Sequence, residues 1–306
     1  MAKVLITGGA GFIGSHLAEF FLSRGDSVRV LDDLRSGNRT NLENLPIDLR
    51  VGSVVDREVV SRAVDGIDYI CHLAAMVSVP ESMDDPIGCV EVNVTGLLNM
   101  LEAAAGAGVK KLCHSSSAAI YGDNPTVPKV ESMTPEPKSP YAITKLDGEY
   151  FCRLFREEKK LETVCLRYFN VFGERQDPGS AYAAAVPIFM RQACEGKPLR
   201  IFGDGGQTRD FVYVKDVVAA NVHALENESM SAVYNVGYGR KTTILELAER
   251  IKELAGSDSE IEFREERSGD VRHSSAATDK LRASGFQPAF DLEEGLARTL
   301  ASFREG

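Results

Sequence analysis

The 306-residue sequence has no apolar run of transmembrane length, no CxxC pair, no internal repeat and no low-complexity tract. A bilayer-spanning helix needs about 20 consecutive apolar residues, so none is expected. Lys and Arg total 35 against 45 Asp and Glu, a formal charge of -10. That balance excludes a broad nucleic-acid or anionic-membrane surface, which needs clustered basic residues. Any phosphate recognition must rest on a few local cations. The chain enters a strand-like run at Lys3 without the basic start and apolar stretch of a signal peptide, so export is not expected and the expected location is cytoplasmic. Cys71, Cys89, Cys113, Cys152, Cys165 and Cys194 are widely spaced, mostly among apolar neighbours, and read as reduced core thiols without a metal or redox role. No metal site is expected. His72 and His114 each lie in an apolar run beside a cysteine and read as core histidines.

What is present is ordinary for a globular protein: 43% hydrophobic and 26% charged residues. The length suits one large α/β domain with a smaller second lobe. Strand-like runs at 3–7, 27–32, 49–52, 68–74, 110–116 and 162–168 alternate with amphipathic stretches, the pattern of a doubly wound parallel sheet with helices on both faces. After Asn170 the alternation breaks into Pro- and Gly-punctuated segments, with helices near 183–194 and 244–255. The expected division is a first domain of residues 1–170 with a returning segment at about 210–236. A C-terminal α/β lobe, the substrate lobe, then comprises 171–209 and 237–306.

The first strand leads into Gly8-Gly9-Ala10-Gly11-Phe12-Ile13-Gly14, then a helical pattern, then a second strand ending at Asp32. Glycines let the backbone approach a pyrophosphate, and a helix starting there points free N–H groups at the charge. Gly8, Gly11 and Gly14 suit that role. A carboxylate at the end of the second strand accepts ribose hydroxyls and repels a 2'-phosphate, so Asp32 favours NAD over NADP, with Arg35 the one nearby group able to take that phosphate.

Ser139-Pro140-Tyr141-Ala142-Ile143-Thr144-Lys145 supplies a capping serine and a first-turn proline, which predict a helix from about Tyr141. Tyr141 and Lys145 then share one helix face. A lysine ammonium beside the phenol, together with a positive nicotinamide, is expected to depress the phenol's pKa and make Tyr141 a base near neutrality. Upstream, Ser115-Ser116-Ser117 closes a strand at its carboxyl end, where α/β sheets place ligands.

On these motifs the chain resembles the extended short-chain dehydrogenase/reductase family, and within it the NAD-dependent UDP-hexose 4-epimerases. The spacing GxxGxxG in Thr-Gly-Gly-Ala-Gly-Phe-Ile-Gly, the serine triplet, Tyr-x-x-x-Lys and Arg167-Tyr168-Phe169-Asn170 carry the resemblance, which runs from Lys3 to about Phe286. It implies a Rossmann fold and a homodimer built on the 86–107 and 141–158 helices, using apolar residues such as Val90, Val94, Leu97, Leu98, Leu101, Phe151, Leu154 and Phe155. Ser117, Tyr141 and Lys145 are implied as catalytic, and Ser115 and Ser116 as lining the cofactor. The same resemblance assigns to NAD Phe12, Ile13, Asp33, Arg35, Ser36, Gly37, Ser53, Val54, Leu73, Ala74, Ala75, Asn93 and Tyr168. Phe169 falls near the nicotinamide as well. To the UDP-sugar it assigns Ser78, Asn170, Ile201, Phe202, Gln207, Arg209, Arg272 and Ser274, with the two arginines and Asn170 on the diphosphate and Ile201 and Phe202 on the uracil.

Two departures stand out: Ser53 and Ala277 occupy positions where relatives carry Asp. Members that eliminate water or decarboxylate carry an acid just after the catalytic hydroxyl, whereas this chain has Ala118 and Ala119. The implied reaction is therefore 4-epimerisation of a UDP-hexose. The alternatives are a UDP-glucuronate 4-epimerase, a decarboxylase or dehydratase, or a binding protein with a dead site. Segments 271–274, 175–178 and 181–184 resemble the subgroup acting on UDP-N-acetylglucosamine, and Ser274 is the small residue that would admit an N-acetyl group.

Overall fold

The computed structural model describes residues 1–179, 184–266 and 271–305. Ser180 to Ala183, and Gly269 and Asp270 in the second arginine segment, lie outside the described residues.

The alternation of strand and helix produces a seven-stranded sheet. Its strands are β1 (Lys3–Thr7), β2 (Ser27–Asp32), β3 (Asp48–Val51), β4 (Tyr69–His72), β5 (Lys111–Ser117), β6 (Glu162–Tyr168) and, from later in the chain, Val233–Val236. The spatial order places β1 between β2 and β4, with β3 at one edge and the 233–236 strand beyond β6 at the other. The pairings β1–β2, β1–β4, β2–β3 and β4–β5 are parallel. This is the doubly wound order, in which ligands bind where the winding reverses, between β1 and β4. The connecting helices are α1 (Phe12–Ser23), α2 (Arg57–Val64), α3 (Val79–Asp84), α4 (Pro86–Val90), α5 (Gly96–Ala107) and α6 (Pro140–Lys159). The stretch expected as one helix from Pro86 to Ala107 is interrupted by a π-helical turn at Glu91–Thr95, which carries Asn93. Such turns often mark functional sites. The core of the sheet and these helices is apolar, with Leu5, Leu31, Val60, Ile70, Leu97, Leu101 and Leu112 fully enclosed.

The chain divides into two compact units: Met1–Ile120, Pro135–Arg167 and Val218–Tyr234 form the first, and Tyr121–Thr134, Tyr168–Val217 and Asn235–Gly306 the second. Residues 121–134 thus group with the second unit, held by the backbone of Lys129, which donates to Ser275 O and accepts from Ala277 N. In the second unit Asn170–Phe172 pairs in parallel with Phe211–Tyr213, and Leu199–Phe202 with Ile261–Arg264. The short strand Thr208–Arg209 lies antiparallel to Thr242–Thr243.

Candidate active site

Gly8 adopts φ +69°, and a Cβ there would come 2.9 Å from Ala74 N and 3.0 Å from Leu73 C. A Cβ on Gly14 would stand 2.3 Å from Gly8 O. Glycine is therefore required for the loop to close on itself and on the exit of β4. Thr7, which sequence reasoning passed over, pins that junction: its hydroxyl accepts from Leu73 N and Ala74 N at 3.1 Å each and bonds His72 Nδ1 at 2.9 Å. Helix α1 opens at Gly11 with no side-chain cap and no acid in its first turn. Its leading N–H groups thus present a positive helix end to an anion.

Asp32 is buried at the end of β2, accepting from Ala10 N and Leu34 N, each at 2.8 Å, one on each oxygen. Burial raises its pKa, and these two hydrogen bonds oppose the rise. Each oxygen keeps a second lone pair for a ribose hydroxyl. Gly37 lies against this carboxylate, where a Cβ would come 3.0 Å from Oδ1. Arg35 is committed to Glu81 at 2.5 Å, Asp33 Oδ1 accepts from Arg35 N, and Ser53 Oγ accepts from Val55 N. Val54 is buried against Gly96. An uncapped helix end, an obligatory glycine turn and a strand-end carboxylate together match an adenine dinucleotide without 2'-phosphate.

Asn93 is buried and spends its amide on the loop after β4: Oδ1 accepts from Met76 N at 2.7 Å, and Nδ2 donates to Met76 O at 3.1 Å and Thr144 Oγ1 at 3.0 Å. It ties Met76 to Thr144 of helix α6; Leu73, Ala74 and Ala75, which precede Met76, are half-buried. Ser78 caps α3, accepting from Glu81 N.

The start of α6 is as the sequence predicts: Ser139 accepts from Ala142 N at 3.2 Å and Pro140 opens the first turn. Tyr141 hydrogen-bonds Ser117. Lys145 Nζ lies 5.9 Å from the centre of the Tyr141 ring and donates to Ser115 O at 2.7 Å. The three residues named as catalytic are thus brought together. Lys145 by itself does not depress the phenol. Burial raises the Tyr141 pKa, the Ser117 hydrogen bond opposes this, and a nearby Cys89 adds to the rise. Burial likewise pushes Lys145 down to about 8, which weakens the very cation expected to act on the phenol. Ser116 turns its hydroxyl to Glu149. His72 and His114 are core residues, as expected; burial lowers His72 to about 3 and His114 well below its usual range.

In the second unit, backbone bonds from Thr208 N to Arg272 O (2.9 Å) and from Ser274 N to Thr208 O (3.0 Å) bring Gln207, Arg209, Arg272 and Ser274 onto adjacent chain segments. Gln207 is buried, with Nε2 donating to Phe202 O at 2.7 Å. Ile201 is fully buried whereas Phe202 is half-buried. Arg272 forms a two-pronged pair with Asp204 at 2.9 and 2.8 Å. Asp210, not singled out by sequence, is buried and accepts from Ala276 N, Tyr238 N and Gly239 N. Burial raises it to about 6 against those bonds. Tyr168 and Asn170 are half-buried, and Asn170 N donates to Asp210 O. Ala277 is buried beside this segment and its N–H bonds Lys129 O; nothing in the structure explains alanine at that position.

A model of the NAD dependent epimerase/dehydratase family matches residues 4–237. The chain belongs to that family. This family member is an enzyme, and NAD is its cofactor. It is similar to the UDP-glucose 4-epimerase of Mycolicibacterium smegmatis, 39% identical over 310 residues that cover 99% of this chain and 98% of that protein. Among solved structures, the UDP-N-acetylglucosamine 4-epimerase of Methanobrevibacter ruminantium in complex with UDP-N-acetylmuramic acid superposes with a TM-score of 0.96 at 38% identity, covering 99% and 98% of the two chains. The UDP-glucose 4-epimerase of Thermus thermophilus in complex with NAD gives 0.91 at 39% identity, covering 99% of each. Among the described residues no helix is long and apolar enough to cross a membrane, and no cluster of ligating side chains could hold a metal ion.

Proposed function

We propose that the protein is a UDP-hexose 4-epimerase that accepts N-acetylated sugars as well as UDP-glucose and UDP-galactose. The observation that carries this reading is the Tyr141–Ser117–Lys145 group followed by Ala118 and Ala119. One proton-transfer pair is present, and no carboxylate stands at those two positions to drive elimination. NAD, when bound, supplies the acceptor and donor for the hydrogen on C4. The protein holds it through the Gly8–Gly14 turn, the first turn of α1, Asp32 and Lys145. Ser117 Oγ orients the C4 hydroxyl and its hydrogen bond favours the Tyr141 phenolate against burial; as phenolate, Tyr141 Oη receives the proton, and the same oxygen returns it after the sugar has turned. The long stem of Lys145, anchored on Ser115 O, keeps its ammonium beside the ring. Arg209 and Asn170 take the diphosphate together with Arg272, whose fork must turn from Asp204 to reach it; guanidinium forks are well shaped for that charge in an otherwise acidic protein, and Phe202 packs on the uracil.

Incubation with UDP-galactose and UDP-N-acetylgalactosamine should yield the gluco epimers of both. Release of carbon dioxide from UDP-glucuronate, or of water from any UDP-hexose, in place of epimerisation would overturn the reading. Epimerisation of UDP-glucuronate alone would move it to the uronate.

A homodimer is part of the proposal. Ile87, Val90, Met83, Ile143, Tyr150 and Leu154 are exposed along α3, α4 and α6, an apolar surface of the kind that marks an association site. Leu97, Leu101 and Phe155, expected to contribute, are instead core residues of their own unit. A cytoplasmic location suits six cysteines that are all free.

A further inference from the structure

The seam between β5 and α6 contains more than the reacting group needs. From the start of the helix inward, Tyr141 meets Ser117 and Lys145 meets Ser115 O. One turn further, Gly148 lies so close to His114 that a Cβ would stand 2.4 Å from Nε2. Beside it Glu149 accepts the Ser116 hydroxyl at 2.5 Å. Tyr141, Lys145 and Glu149 are spaced by four and share one helix face. The Glu149 carboxylate is gripped by Arg167 of β6, Nε on Oε1 at 2.8 Å and Nη2 on Oε2 at 2.7 Å. Ser116, Glu149 and Arg167 are only 3%, 6% and 3% exposed.

Desolvating such a pair costs about as much as the pairing returns, and apolar residues of the same volume would pack as well, so a buried ion pair is weak evidence of stability. Its distinctive property is geometry. A planar fork orients a carboxylate on two parallel bonds, and here that carboxylate holds the one serine flanked on both sides by groups that touch Tyr141 and Lys145.

We propose that Glu149 is a positioning residue for proton transfer: held by Arg167, it grips Ser116 and sets the height of β5 against α6, so that Ser117 and the Ser115 carbonyl meet Tyr141 and Lys145. The inference rests on the reading of Tyr141 and Ser117 as the proton-transfer pair.

The test compares Ser116→Thr with Ser116→Val, which have the same shape and differ by the hydroxyl, alongside Ser116→Ala and Glu149→Gln. For each, kcat, KM, bound NAD and the pH–rate profile are measured with UDP-galactose and UDP-N-acetylgalactosamine. Thr should stay within about threefold of wild type, while Val, Ala and Gln lose roughly ten- to a hundredfold in kcat, the scale of an ångström-level misplacement. KM and NAD content should stay constant. The pH at half-maximal kcat should rise, because a loosened Ser117 bond no longer favours the phenolate. Should Glu149→Gln fail to fold, the serine series decides. Ser116→Ala at wild-type kcat and pH profile, or Thr and Val falling equally, overturns the proposal. Wild-type protein that epimerises neither sugar removes the functional reading and this inference together, whereas active wild type with unaffected variants removes the inference alone.

Discussion

Lys145 donates from Nζ to the carbonyl of Ser115 at 2.7 Å. The bond fixes the ammonium inside the protein, where burial holds its pKa down at about 8. This has a sign that can be measured. A lysine whose folded pKa lies below its unfolded value of 10.5 binds fewer protons when folded, so stability rises with pH between about 8 and 10.5. In NAD-free protein the unfolding free energy should gain up to roughly 3 kcal/mol from this group across that window. Lys145→Met should remove that gain. Equal pH slopes for variant and wild type, measured by chemical denaturation, would show that Lys145 is not desolvated.

Tyr141→Phe removes the transferable proton while keeping the ring. We expect kcat on UDP-galactose to fall by about 10²- to 10⁴-fold, the range of general acid–base contributions, with NAD content nearly unchanged. A variant near the wild-type rate would rule out Tyr141 as the proton acceptor.

Ser274→Tyr tests the sugar pocket. Overpacking by about 1–3 kcal/mol should cut turnover of UDP-N-acetylgalactosamine roughly 5- to 150-fold more than that of UDP-galactose. Equal losses on the two sugars would place Ser274 away from the C2 substituent.

His114 is buried, and among the described residues neither ring nitrogen has a hydrogen-bond partner. A neutral imidazole still carries one N–H, and leaving a donor unpaired in the core costs about 1–3 kcal/mol. His114→Phe should therefore raise the unfolding free energy by about 1 kcal/mol after some crowding against Gly148. A clear loss of stability in urea titration would contradict this account.

Ile87 and Leu154 are 80% and 48% exposed. Replacing both with Glu should convert a dimer into a monomer at micromolar concentration, read by light scattering. A wild-type monomer under the same conditions would eliminate the proposed dimer.

The sequence by itself determined what depends on neighbours along the chain. The glycine turn, the strand-end Asp32, the Ser139–Pro140 helix start and the four-residue step from Tyr141 to Lys145 follow from backbone sterics and helical periodicity, and each is where those rules place it. Strand limits moved by a residue or two; β5 ends at Ser117, not Ser116, because strand ends depend on the partner strand. Tertiary structure alone decided what meets across elements. Glu149 finds Ser116 33 residues away and Arg167 18 residues away, Thr7 finds the loop after β4, and Asp204 claims Arg272. No periodicity encodes these pairings. The direction of the Tyr141 shift was also hidden, since the spacing reveals a nearby cation but not the water excluded around both groups, and in the folded protein desolvation of the phenol outweighs the Ser117 hydrogen bond.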